Sequence, residues 1–269
     1  MLAGANFVRI GRSRPGGLTV NEGIKVLVHG VAKCLMPYPD PIHRRRLRRD
    51  AKALVSWTKW PGYDATTLDV AELALVRLLW LQREVHRAAR SKQKEATALL
   101  ARSAIETCTT GMWCVYGEDT VARLRRQNAG ALKRMTKYLV GSLVTRDFLD
   151  RAVADIGEAI GPLDLATMIK VIIDKGGPPI AKDLYERYYI SASTLYAHGS
   201  GAAMLRHVGR AGAPTEAPSS LWLRRSAVHV VDGCVAVLAN VVATNSGQPA
   251  EVFVPYANAH LLRALPPIA

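Results

Sequence analysis

Residues 67–90 read TLDVAELALVRLLWLQREVHRAAR, and this stretch decides the fold class. Val70, Leu73, Leu75, Leu78, Leu79 and Leu81 recur at helical spacing, giving a long helix with one apolar side. The run is far longer than a typical strand. Its basic C-terminal end suits the partial negative charge of a helix terminus.

Outward from this helix the chain reads as further helices separated by Gly, Pro and Ser. Residues 92–115 form the next helix, 118–140 another, and residues 145–161 and 164–174 two more. The helix at 180–198 stops at Gly199-Ser200-Gly201. Ser219 and Ser220 cap a long apolar helix to about residue 244, and residues 249–265 close the chain. Toward the N-terminus, Asn21 caps a helix to about Cys34. The prolines of residues 37–41 break it, and residues 42–57 restart as a strongly basic helix. No stretch alternates with period two, and no repeat is found. The expected fold is all-α, a multi-helix bundle of about ten helices. Residues 1–60 are expected to form a basic N-terminal arm with its helices, and 61–269 the helical bundle domain.

Composition agrees. Of 269 residues 49% are apolar, enough for a sizeable core, while only 6% are aromatic, which disfavours a β-sandwich. The formal charge is +14, and residues 1–60 hold twelve Lys and Arg against three acids. Such a field draws polyanions, nucleic acid first. Cys34, Cys108, Cys114 and Cys234 lack metal-ligand spacing and read as small core hydrophobes in a reducing cytoplasm. Arg9, Arg12 and Arg14 interrupt any apolar leader. The apolar segment 228–243 is short and carries His229 and Asp232, so it is read as a buried helix with no transmembrane segment in the chain.

Several groupings bear chemistry. Arg102 and Glu106 sit one helical turn apart among Ala98, Leu99, Ala101, Ala104 and Ile105, an expected partly buried ion pair. Arg187, Ser191, Thr194 and His198 fall on one side of a later helix, with Tyr189 beside them. If the two helices face each other, these groups share one site. His198 titrates near neutrality, yet it lies two turns from Ser191, too far for a Ser–His nucleophile pair. Arg224 and His229 form an R-x4-H string. Their side chains diverge by about 140° on a straight helix, so a kink or a homodimer partner would have to bring them together. Arg44, Arg45, Arg46, Arg48 and Arg49 are dense enough to hold nucleic-acid phosphates, with Trp57 and Trp60 near enough to stack on bases. The metal and phosphate-loop motifs H-E-x-x-H, G-x-x-x-x-G-K and G-x-G-x-x-G are absent, as is the E-x-x-H pair of di-iron bundles. No metal or cofactor is expected.

The R-x3-E segment (Arg102, Glu106) followed by Y-x-x-S-x6-H (Tyr188, Ser191, His198, then Gly199) resembles a family of uncharacterised helical bacterial proteins over roughly residues 75–245. More distantly, helical character plus an R-x4-6-H string, met here by Arg224 and His229, is similar to the HEPN nucleotide-binding proteins. Many of those are metal-independent ribonucleases of toxin and antiphage systems. The resemblance implies a ribonuclease or nucleotide-binding protein acting on RNA or another polyanion. In it His198, or alternatively His229, moves the 2′-hydroxyl proton, Arg102 or Arg224 stabilises phosphate charge, and Glu106 orients Arg102. Two rivals stand beside it. One is a small-molecule enzyme with a cavity inside the bundle at Arg102, Glu106, Tyr189 and His198. The other is a non-enzymatic regulator that binds nucleic acid or protein.

Overall fold

The capping chemistry of Thr66 and Asp69 sets the start of the longest amphipathic helix. The computed structural model describes residues 38–57, 61, 64–139, 160–161, 163–190 and 221–264, and eight α-helices stand among these, against about ten expected for the whole chain. The described residues are all-α, with no strand among them.

Helix α1 spans Pro41–Ala53. Asp40 caps it, its Oδ1 accepting from the Ile42 amide at 2.9 Å, and Pro41 occupies the first turn, where its missing N–H costs nothing. The last proline of the 37–41 cluster therefore starts a helix. Leu47 and Ala51 are buried while most of the arginines stay at the surface. After α1, the buried carboxylate of Glu72 accepts from the Ser56 amide at 2.7 Å and from its hydroxyl, which ties the chain back onto the next helix.

Helix α2 is Thr67–Arg90, opened by a reciprocal capping box in which Thr66 and Asp69 satisfy each other's backbone amides. Leu75, Leu78, Leu79, Leu81 and Val85 enter the core; Leu73, expected on that stripe, is exposed. Lys92, at a left-handed φ of 59°, turns the chain into α3, Lys94–Tyr116. Beside the large buried Ile105, Met112 and Trp113, α3 carries the small buried residues Ala98, Ala101, Ala104, Cys108 and Gly111, which let neighbouring helices approach closely. A Cβ on Gly111 would fall 2.8 Å from Leu238. Helix α4 follows at Thr120–Leu139.

Asp164 caps α5, Leu165–Asp174, by accepting from the Thr167 amide at 2.9 Å. Gly176 (φ 77°) ends it. Its amide bonds to the Ile173 carbonyl and the Gly177 amide to that of Ile172, the paired bonds of a Schellman ending. Helix α6, Ile180–Asp183, runs directly into a π-helical turn at Leu184–Tyr189. Helix α7 is Leu221–Asn245, and after a 3₁₀ turn at Glu251–Phe253 the chain closes with α8, Val254–Ala264.

Helix α7 is the axis of the bundle, packed by α2, α3 and α8. Residues 226–239 are buried all round, including Ala227, Val228, Val231, Val235 and Leu238. By length and composition Arg224–Asn245 would also suit a bilayer, yet 89% of that window is buried by the protein's own helices. The described residues all fall within one compact unit, Pro37–Ala269. Helix α1, grouped by its charge with residues 1–60, lies in that unit and packs on α2 and α7. The three described cysteines are buried and unbridged, and burial pushes the Cys114 thiol up to about 12.

Candidate functional site

The second half of α2 places Gln82, Arg83, His86, Arg87 and Arg90 along one side of the helix, at spacings of one, four, five and eight residues. Across from them α1 presents Arg44, Arg45 and Arg48. Together with Ser91 these residues line a cleft of about 530 Å³. Six of its nine lining residues are arginines and none is a carboxylate, so the cleft attracts anions. The C-terminal dipole of α2 accounts for Arg87 and Arg90 at most, because the other helix supplies three of the charges.

The arginines are held from behind. Arg48 donates to the Leu79 carbonyl at 2.7 Å and to Gln82 Oε1 at 3.0 Å. Gln82 donates in turn to Asp232 Oδ1 at 2.7 Å, and His86 Nε2 lies 3.1 Å from the same oxygen. Arg44 reaches Nδ1 of His86. A guanidinium carries only donors, so Nδ1 accepts and the ring proton sits on Nε2, directed at Asp232. One carboxylate of α7, fully buried in an otherwise apolar stretch, thus orients Gln82 and His86, and through them Arg48 and Arg44. Burial by itself raises the Asp232 carboxyl. The hydrogen bond and field of His86, the field of His260 and the Gln82 bond outweigh that and hold it below the ordinary range.

Charge in the cleft is poorly matched. Glu84 pairs with Arg83 at 3.2 Å and Arg87 at 2.9 Å, while Arg45 and Arg90 have no ion pair among the described residues. Burial lowers Arg44 below the usual guanidinium range. Asp232 opposes the shift, while Arg90, Arg48 and Arg45 add to it by repulsion. Burial and Arg83 act in the same way on Arg48. Of the five arginines expected to hold nucleic acid, Arg44, Arg45 and Arg48 line the cleft; Arg46 and Arg49 do not, and Arg49 pairs with Asp50.

A second polar cluster joins α3 to the π-turn. Arg102 Nε lies 3.1 Å from Glu106 Oε1, and its Nη2 donates to the Tyr189 hydroxyl at 3.2 Å. That hydroxyl donates to Glu106 at 3.0 Å, and the Arg102 guanidinium lies over the Tyr189 ring, which stacks on Tyr185. Burial lowers Arg102, but the Tyr189 and Glu106 contacts together raise it above its usual value. The cluster sits at the rim of the bundle, with Arg102 22% and Glu106 40% exposed. Glu106 also borders an open groove of about 640 Å³ between α2 and α3, lined in part by Val70, Leu73, Val76 and Trp80.

Of the expected site residues, the structure brings Arg102, Glu106 and Tyr189 together. Arg187 is elsewhere on the π-turn, paired with Asp183 at 3.2 Å. Ser191, Thr194 and His198 lie outside the described residues, as does Trp60. Arg224 donates to the Ala89 carbonyl at 3.0 Å, and fully buried His229 meets His260, Nδ1 to Nδ1, at 3.1 Å. His260 stacks in turn on His43 of α1.

The sequence reading did not single out Gln82, Arg83, His86, Arg87, Arg90 or Asp232 as site residues. A usable signal was present: Gln82 and His86, one turn apart, interrupt the apolar side of α2, and Asp232 interrupts α7. A scan against protein families, and searches of curated proteins and of solved structures, found no match to this chain.

Proposed function

We propose that this protein binds RNA, and that the cleft between α1 and α2 is where phosphate groups are held. The reading rests on one observation: six arginines from two helices converge on a single opening with no carboxylate in its lining. The network behind Arg44 and Arg48 adds support, because guanidinium groups fixed in advance lose less freedom when a phosphate arrives. Any cleavage of the bound RNA would be a further step, carried by His198 without metal. Turnover in EDTA that disappears in His198→Ala tests that part.

Fluorescence anisotropy with a labelled single-stranded 2′-O-methyl RNA, which resists cleavage, tests the binding. Affinity is expected to fall steeply as salt rises, with a log–log slope of about −0.7 for each phosphate engaged. The double variant Arg45→Glu/Arg90→Glu is expected to bind at least ~100-fold more weakly at low salt. Arg46→Glu/Arg49→Glu, the same charge change off the cleft, is expected to cost only a few-fold. Equal losses in the two variants would reduce the effect to net charge and reject the cleft.

A further inference from the structure

Charge density in the cleft goes beyond what a nucleic-acid strand supplies. A cube of about 530 Å³ is some 8 Å on a side, and a strand crossing it brings about two phosphate charges at the helical spacing of one per ~3.4 Å. Against this stand six arginines, with the carboxylates of Glu84 beside them and Asp232 behind, so that four guanidinium charges are left unmatched. Backbone phosphates are separated by sugars and cannot concentrate four charges in so small a space. A chain of three phosphates joined through shared oxygens can, because it carries about four charges near neutrality, the terminal group supplying nearly two.

The polar groups available match such a chain in kind. Arg44 and Arg48 are fixed by the network beneath them, and Arg45 and Arg90 bring side chains without an ion pair among the described residues. Ser91 adds a hydroxyl. Recognition of a base is not provided for. The lining holds no Trp, Tyr or Phe, and its one ring, His86, is engaged at both nitrogens.

We propose that the α1/α2 cleft is a binding site for a linear triphosphate group, recognised by its phosphates and not by a base. This deepens the RNA reading and rests on it for the location of the site. Two sources carry the same chemistry: a free polyphosphate or nucleoside triphosphate, and the 5′-triphosphate end of an RNA.

The test is calorimetric titration of the full chain, at fixed ionic strength and in EDTA, with inorganic tripolyphosphate, ATP, GTP and orthophosphate. A 2′-O-methyl RNA bearing either a 5′-triphosphate or a 5′-hydroxyl is titrated alongside. Tripolyphosphate is expected to bind at least ~100-fold more tightly than orthophosphate, since several charge-assisted bonds act together. ATP and GTP are expected within about threefold of each other, there being no stacking surface to tell them apart. Arg45→Glu/Arg90→Glu, at two exposed positions, is expected to abolish these heats while leaving the circular dichroism unchanged and lowering the melting temperature by no more than a few degrees, the cost of an acid at a helix C-terminus.

Preference for the 5′-triphosphate RNA over its 5′-hydroxyl form supports the proposal with an RNA end as source. Tight tripolyphosphate and ATP binding without that preference supports it with a free ligand as source. If neither RNA binds while tripolyphosphate does, the triphosphate site stands and the RNA reading falls. If 5′-hydroxyl RNA binds as tightly as the triphosphate form and tripolyphosphate does not compete, the proposal is overturned and RNA binding survives. No heat with any of them overturns both.

Discussion

The cleft and the Arg102 cluster use the same residue types to opposite ends. In the cluster one guanidinium, one carboxylate and one phenol complete each other within about 3 Å, and the aromatic ring covers the cation as well. In the cleft the guanidinium groups outnumber the acids, and the one fully buried acid lies behind them. A charge matched inside the protein fastens one helix to another. A charge left unmatched beside an opening lowers its free energy when an anion arrives. Two regions built from the same residue types therefore call for different chemistry.

The largest effect that separates the two regions is expected at Asp232. Asp232→Ala leaves buried Gln82 and His86 without their acceptor, and breaking such a pair costs about 2–4 kcal/mol. Urea denaturation measures it as a lower midpoint with an unchanged slope. Glu106→Ala removes a carboxylate that is 40% exposed, so water replaces the lost bonds and the cost stays below about 1 kcal/mol. Equal losses at the two positions would erase the distinction between a buried anchor and a rim contact.

Acid sharpens the same contrast. The carboxyl of Asp232 lies lower in the folded protein than the unfolded value of about 3.9. The stability this contributes is complete above that value and is lost as the pH falls below it, through the folded one. Wild type is therefore expected to lose stability below about pH 4 by a component that Asp232→Asn lacks, read from urea midpoints between pH 6 and 3. Parallel curves for the two proteins would show that Asp232 is not held low.

Local signals made much of the fold legible. The period of apolar residues marked residues 67–90, and the structure places α2 at Thr67–Arg90. Asp164 before an apolar run and Gly176 after it likewise bracket α5. Such signals depend on neighbours a few residues apart, which chain chemistry fixes before packing does. The site was harder to see because it depends on contacts between distant residues. Gln82 and Asp232 are 150 residues apart, and nothing in either segment names the other. Arg87 and Arg90 already had a sufficient local explanation in the helix dipole, so their convergence with α1 stayed hidden. A site shared by α3 and the later polar segment was expected only if the two faced each other; of its described residues Tyr189 makes the contact, while Arg187, two residues and about half a turn away, pairs with Asp183.

The smallest effect tests whether the cluster is only a fastening. Tyr189→Phe keeps the ring over Arg102 and its stack on Tyr185 but deletes the hydroxyl that bridges Arg102 and Glu106. The direct Arg102–Glu106 pair remains, and both groups reach water, so the net loss of the bridging bonds is expected at no more than about 0.5 kcal/mol, below that of Glu106→Ala. RNA and tripolyphosphate affinities are expected to stay within twofold of wild type, because no residue of the cluster lines the cleft. A stability loss with unchanged binding fits a contact that only joins α3 to the π-turn. A tenfold drop in binding with stability intact would mean that the π-turn and the cleft act as one site, and the contrast between matched and unmatched charge would no longer divide structure from function.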